Sequence, residues 1–239
     1  MIDGRTISSS HLMSHEDDHR EIIQWLWSIL LADGTRALAR AGRWADARRH
    51  AEQHKGIGRR LLDGRQVGIL AHCMARDYDM ARGVLAGTSA LTPWEEAVAA
   101  CLTALCLTAA GCPAGASITT MMDTCLALEP AREHAVFQVR LGLCVLDLAN
   151  GAKLAPQVAG AVVRDALEAA DAYAALDAVT HQTCLSHAPP DAFRALTEVM
   201  QASGLGRGTI PGDVLDNLME SVRVSEASMG RPGAARTMP

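Results

Sequence analysis

The sequence predicts an all-α protein built from antiparallel helical hairpins, and three observations support that fold class. Aromatic residues make up 3% of the 239 residues and apolar residues 49%, so Ala, Leu, Val and Met must form most of the core. Ala and Leu favour helices, whereas β-sheets favour aromatic and β-branched residues. Apolar residues recur with a helical period, and one segment repeats at an offset of 34 residues.

The first predicted helix begins near residue 14, after a segment (1–13) that we expect to be disordered. Ser14 is a suitable N-cap, and acidic residues fill the next turn, where the helix dipole favours them. A clear helical period follows in the apolar residues Ile22, Ile23, Leu26, Trp27, Leu30 and Leu31.

Two copies of a helix–turn–helix unit come next, at 34–67 and 68–101. We expect Ala47 and Ala81 at the point where the two helices of each unit cross, because a small side chain lets them approach closely. The aromatic residue three positions earlier is expected to start the second helix. The offset of 34 matches Gly34 with Gly68, Ala37 with Ala71, Ala41 with Ala75, Trp44 with Tyr78, Ala47 with Ala81 and Arg48 with Arg82.

The turn within each unit has a different residue at its key position. Gly42 can adopt the left-handed conformation that ends the first helix of the first copy. Arg76 occupies the same position in the second copy. Because residues other than glycine avoid the left-handed region, we expect that turn to close differently.

From residue 102 onwards, helical pairs are predicted that no longer keep the 34-residue period. Gly, Pro and Asp residues provide their start and stop signals. We therefore predict a single helical domain over 14–227, followed by a disordered tail at 228–239. The predicted later helices cover 94–110, 118–128, 133–149, 156–178, 191–203 and 213–227.

Segments 37–51 and 71–85 resemble tetratricopeptide repeats, because they match the small–aromatic–small core of that motif. The first reads ALARAGRWADARRHA. Leu38 and His72 stand where the family usually has an aromatic residue, and both copies lack its closing proline. Repeats of this style are common in actinobacterial regulatory and biosynthetic-cluster proteins. The resemblance implies a short, irregular solenoid whose concave groove binds a protein or peptide, and it implies no catalytic residues.

A basic stretch at 36–65 indicates where such a partner would bind. It carries nine basic residues against three acidic ones, although the whole chain has a net charge of −5. Arginines in such a stretch can form charge-assisted hydrogen bonds with an acidic peptide. Nucleic acid is disfavoured as a partner, because the net charge is negative and no DNA-binding motif is evident. We predict a non-enzymatic scaffold or regulatory adaptor that binds its partner through Arg36, Arg40, Arg48, Arg49 and Arg82.

A second hypothesis comes from residues 15–19, which match the HExxH pattern. On a helix, His15 and His19 share one face and can bind a zinc ion, with Glu16 as the general base of a metal-dependent enzyme. Charged residues occupy the middle of the motif and follow it, which is atypical of the buried helix of a zinc protease. We therefore expect no cofactor, and zinc is the alternative.

Cysteine usage and hydropathy indicate a cytoplasmic protein. Seven cysteines without a CxxC spacing are typical of small buried side chains in a reducing compartment. Residues 1–10 lack the apolar region of a secretory signal, and the longest apolar stretch, 97–110, is too short to cross a bilayer. Composition and motifs leave the oligomeric state and the identity of the partner open.

Overall fold

The structure is a computed structural model that describes residues 16–149, 151–189, 191–206 and 208–229, and the side chains of 16–18 and 226–229 lie outside the description. The described residues are mostly helical and include no β-strand, which confirms the predicted all-α class. One short 3-10 turn spans Arg132–His134. The α-helices are Glu16–Arg40 (α1), Trp44–Gln53 (α2), Asp63–Met74 (α3), Tyr78–Ala86 (α4), Pro93–Ala109 (α5), Gly115–Leu126 (α6), Ala135–Leu148 (α7), Ala155–Ala169 (α8), Ala172–Thr180 (α9), Gln182–His187 (α10), Ala192–Ser203 (α11) and Gly212–Met229 (α12).

Neighbouring helices in the chain pack against each other. The pairs α1/α2, α3/α4, α5/α6 and α7/α8 are each in contact, and each odd-numbered helix from α1 to α7 also contacts the next odd-numbered helix. The helices α1, α3, α5, α7 and α9 therefore form one continuous row. Helical pairs do continue beyond residue 102, as the sequence predicts.

The predicted starts of the second helices are confirmed. Trp44 and Tyr78 are the first residues of α2 and α4. Ala47 and Ala81, three residues later, are fully buried. A side chain larger than alanine at these positions would force the neighbouring helices apart, because protein cores are close-packed.

The turns that end α1, α3 and α5 share one geometry. Gly42, Arg76 and Gly111 have φ angles of 72°, 61° and 69°. In each turn this residue donates its N–H to the carbonyl three positions earlier, and the next residue donates to the carbonyl five positions before it, over 2.9 to 3.1 Å. The expectation that the Arg76 turn closes differently is therefore wrong. The two hydrogen bonds satisfy carbonyls at the helix end, which offsets the left-handed strain of about 1–2 kcal/mol.

The single helix predicted at 156–178 is wrong, because the structure has two helices there. Ala170 adopts a left-handed conformation, with φ of 51°, and ends α8. The carboxylate of Asp171 then accepts hydrogen bonds from the N–H groups of Tyr173 and Ala174, both at 2.9 Å, and so caps α9. A side-chain cap of this kind offers the backbone an alternative to a continuous helix. The sequence-based prediction also missed α10.

The core is a continuous cluster that extends from Leu61, just before α3, to Leu196 in α11. Cysteines contribute to it as predicted: Cys73, Cys101, Cys106 and Cys184 are buried, while Cys112 and Cys144 are exposed. The helix α12 does not join the core, since its described side chains are all exposed. Most of the predicted disordered tail, the segment 1–13 and the proposed cap Ser14 lie outside the described residues.

No helix in the described part of the chain combines the length and hydropathy that a membrane span requires.

A buried carboxylate fastens the loop before α3 to the start of α5. The Glu95 side chain is fully buried and receives two hydrogen bonds from the Arg60 guanidinium, both at 3.1 Å. It also accepts from the Leu91 N–H at 3.0 Å and the Thr92 hydroxyl at 2.9 Å. Hydrogen bonding from Arg60, supported by Thr92 and Leu91, holds the pKa of Glu95 at about 2. Together these contacts join parts of the chain that lie 35 residues apart.

We expect Glu95→Gln to lower the melting temperature at pH 7, and to lower it less as the pH falls. The pKa of Glu95 is about 2 in the folded protein against an ordinary value of 4.5. Because folding depresses this pKa, the stabilisation is complete above about pH 4.5 and is lost as the pH falls towards 2. Circular dichroism melts of both proteins at pH 7, 4 and 3 measure the difference.

Glu96→Gln is the matched control, because Glu96 is the adjacent carboxylate and is exposed. Its melting temperature should follow that of the wild type at each pH. If the difference in melting temperature between Glu95→Gln and the wild type stays constant from pH 7 to pH 3, ionisation of Glu95 is not the source of the stabilisation.

The shared turn geometry predicts opposite changes in stability for substitutions at Gly42 and at Arg76, which occupy equivalent positions in their turns. Gly42→Ala should destabilise the protein by about 1 kcal/mol, because it puts a Cβ into the left-handed region. Arg76→Gly should stabilise it by up to about 1 kcal/mol, because it removes the same strain. Urea unfolding of the two variants measures both effects. Destabilisation by Arg76→Gly would mean that the arginine side chain contributes more than the strain costs.

Candidate partner-binding groove

The row of odd-numbered helices borders an open groove of about 750 Å³. This volume lies within the range of about 300–1,000 Å³ that is typical of ligand-binding clefts. Each of the helices α1, α3, α5 and α7 lines the groove with one of its faces, because residues three or four positions apart share a helical face. Its apolar floor consists of Leu70, Val98, Leu102, Leu105, Phe137 and Leu141.

Two arginines of α1 line one end of the groove. Arg36 donates to the Asp63 carboxylate at 2.8 Å and lies 3.5 Å from that of Asp33. Arg40, one turn further along, is exposed and forms no ion pair with any residue that the structure describes. Arg40 is therefore the cation at this end that remains available to a ligand.

Polar side chains also line the opposite end, at α7. Arg140 donates to the Asp177 carboxylate at 2.6 Å, and Asp147 lies 3.1 Å from His181 Nε2. Glu133, just before α7, also lines the groove. The groove thus has an apolar middle between two polar ends, and most of its charged groups already have partners within the protein.

The thiols in the groove are not poised for nucleophilic chemistry. Burial raises the pKa of Cys101 to about 12. Cys144 is exposed as a residue, but desolvation of its sulfur and the nearby Asp147 carboxylate also raise its pKa. A reactive cysteine requires a depressed pKa, because the thiolate is the nucleophile. Both thiols therefore stay protonated at neutral pH and line the groove as uncharged groups.

The structure brings together two of the five arginines that the sequence assigns to partner binding. Arg36 and Arg40 line the groove, whereas Arg48 and Arg49 lie on α2 and Arg82 lies on α4. Arg82 lines a separate concavity between α4 and α5.

The three predicted arginines outside the groove contact neighbouring side chains. Arg48 lies 3.2 Å from His72 Nε2 and 3.7 Å from the Glu52 carboxylate. Arg49 and Arg82 form ion pairs with acidic residues three positions earlier, at 2.8 and 2.6 Å. Much of the basic stretch at 36–65 thus contributes to the fold itself.

The HExxH-like segment is only partly described. His15 lies outside the described residues, and so does the side chain of Glu16. His19 is exposed at the start of α1. Among the described residues, no group of three or more His, Cys, Asp or Glu side chains is arranged to hold a metal ion. The zinc hypothesis therefore stays a prediction.

Sequence reasoning missed the central and far parts of the groove. Leu70, Leu105 and Phe137 are only partly buried although they belong to strongly apolar helices. The signal in the sequence is an excess of apolar residues around α5 and α7, more than one buried face requires. Which of these residues line a groove depends on how four helices pack, and no local pattern specifies that.

Comparison of the chain with protein-family models, with curated proteins and with solved structures found no match.

Proposed function

We propose that this protein is a non-enzymatic scaffold or regulatory adaptor that binds a segment of a protein partner in the groove along α1, α3, α5 and α7. The observation that carries the proposal is the open apolar floor of the groove, which ends at an arginine without an ion-pair partner in the described chain. A concave, largely apolar surface of this kind, with a few polar groups at its edge, is typical of binding sites.

The proposed architecture is a tetratricopeptide-like solenoid. Three features support it: the 34-residue repeat of the sequence, the common geometry of the turns after α1, α3 and α5, and the contacts between successive odd-numbered helices. In such solenoids, the row of first helices forms the concave surface on which a partner lies. We propose the cytoplasm as the site of action, because seven cysteines fit a reducing compartment.

The chemistry of the groove defines the partner we propose. An apolar floor between polar ends suits a peptide segment with two or three large apolar side chains. An acidic residue or a terminal carboxylate next to them would pair with Arg40, the uncommitted cation at the α1 end. Leu70, Leu105 and Phe137 are the partly buried floor residues that an apolar anchor would cover.

Selection of peptides of about 15 residues from a random display library, with the full-length protein as bait, tests this function. Enriched peptides should share apolar anchors beside an acidic residue. Arg40→Glu should weaken their binding about tenfold or more, since a charge-assisted hydrogen bond contributes about 1.5–3 kcal/mol. Fluorescence polarisation of a labelled peptide measures the affinity, and added salt should also weaken it.

Arg49→Glu and Arg82→Glu are the matched charge reversals outside the groove. They should leave the affinity for the selected peptides unchanged if the groove is the site. If these variants bind the peptides more weakly and Arg40→Glu binds them as the wild type does, the partner binds the surface of α2 and α4 that carries Arg49 and Arg82. A failure to enrich any peptide family with apolar and acidic residues would refute the proposed function.

A further inference from the structure

The N-terminal half of α1 extends beyond the helices that pack against its C-terminal half. Residues 19–28 are all exposed, whereas Thr35 is fully buried. Two contacts connect this part of α1 to the residues around the end of α2: the indole N–H of Trp27 donates to the His54 carbonyl, and His50 Nε2 lies near the Leu30 carbonyl, both over 3.1 Å. The large side chains that are 38 to 60% exposed here are Ile22, Ile23, Trp25, Leu26, Trp27 and Leu30.

Ile22, Ile23, Leu26 and Leu30 form a stripe on the side of α1 opposite the buried Thr35, whereas Trp27 turns towards His54. Leu26 and the buried Thr35 are nine residues apart, which is about 2.5 helical turns, so they project from opposite sides. In the described chain α1 is the first helix of the row, and no described helix covers this side. Terminal repeats of a solenoid normally present a polar outer face. An apolar outer face indicates a surface that another helix covers.

The charges around the stripe fit a second copy of α1 in the antiparallel direction. His19 and Asp33 each lie seven residues from Leu26, on the same side of the helix. An antiparallel pair centred on Leu26 therefore sets His19 of one copy opposite Asp33 of the other.

A parallel pair of α1 helices would instead align like charges. The first turn is acidic at Glu16, Asp17 and Asp18, and two such turns side by side would repel each other. The charge pattern thus favours the antiparallel arrangement, which a two-fold axis through Leu26 generates.

We propose that α1 is a homodimerisation helix, through which two copies of this chain pair antiparallel around a two-fold axis at Leu26. The contact is made by the outer stripe of α1 and does not depend on whether the groove binds a peptide. Ile22 and Leu26 form its centre, and the Trp25 indole, 60% exposed in a single copy, flanks it.

Light scattering after size-exclusion chromatography of the full chain tests the pairing. The wild type at tens of micromolar should have twice the chain mass of 25.3 kDa. Ile22→Asp/Leu26→Asp should have the mass of one chain and an unchanged circular dichroism spectrum, because both side chains are already substantially exposed. A monomeric wild type would overturn the proposal, and so would a dimer that survives this double substitution.

The matched control is Leu215→Asp/Leu218→Asp on α12, which also exposes an apolar face. This variant should remain dimeric. If it becomes monomeric, α12 is part of the dimer contact, and the pairing of α1 with α1 is wrong.

Cross-linking distinguishes the two helix directions. Leu26→Cys should give a disulfide-linked dimer under mild oxidation, with the wild type as the control for the native exposed cysteines. His19→Cys should not, because 14 residues, or about 21 Å along the helix, would separate the two thiols in an antiparallel pair. Cross-linking of both variants would indicate a parallel pair and overturn the antiparallel arrangement.

Discussion

The packing of the helices depends on fully buried alanines: Ala47 in α2 and Ala81 in α4 have no exposed surface, and a close-packed core leaves no room there for a larger side chain. Alanine contributes little apolar area, so each buried alanine stabilises the fold only modestly. Stability must therefore come from many helices that share one continuous core, and the buried cluster does run from Leu61 to Leu196. In a row of this kind each helix is covered mainly by its neighbours. The first and last described helices of the chain, α1 and α12, expose six large apolar side chains each.

Local signals predict the helices well where one residue decides the outcome. Trp44 and Tyr78 start helices, and Gly42 ends one, as their positions in the sequence indicate. The same reasoning fails at Arg76 and Ala170, which adopt left-handed conformations that arginine and alanine disfavour. There the hydrogen bonds of the turn and the packing of the next helix outweigh the local preference. No feature of these two residues themselves reveals this.

The candidate site was harder to predict than the fold, because the availability of a charge depends on contacts between distant parts of the chain. The basic stretch contains Arg36 and Arg40, which lie about one helical turn apart on the same face of α1. Arg36 is paired with Asp63, 27 residues away, and Arg40 forms no ion pair with the described residues. Arg60 is likewise neutralised by a carboxylate on α5. Counting charges along the sequence finds the region, and only the fold shows which cation is free.

The two proposals meet on α1, which carries the free arginine of the groove in its C-terminal half and the outer stripe in its N-terminal half. In an antiparallel pair centred on Leu26, the two copies of Arg36 are 20 residues apart along the helices, or about 30 Å. Each copy then presents one groove, and the two grooves are held at a fixed spacing by a rigid helix pair. A partner that carries two binding segments at that spacing would engage both, since the second contact becomes intramolecular once the first has formed. Dimerisation through α1 would then strengthen partner binding without adding any contact inside the groove.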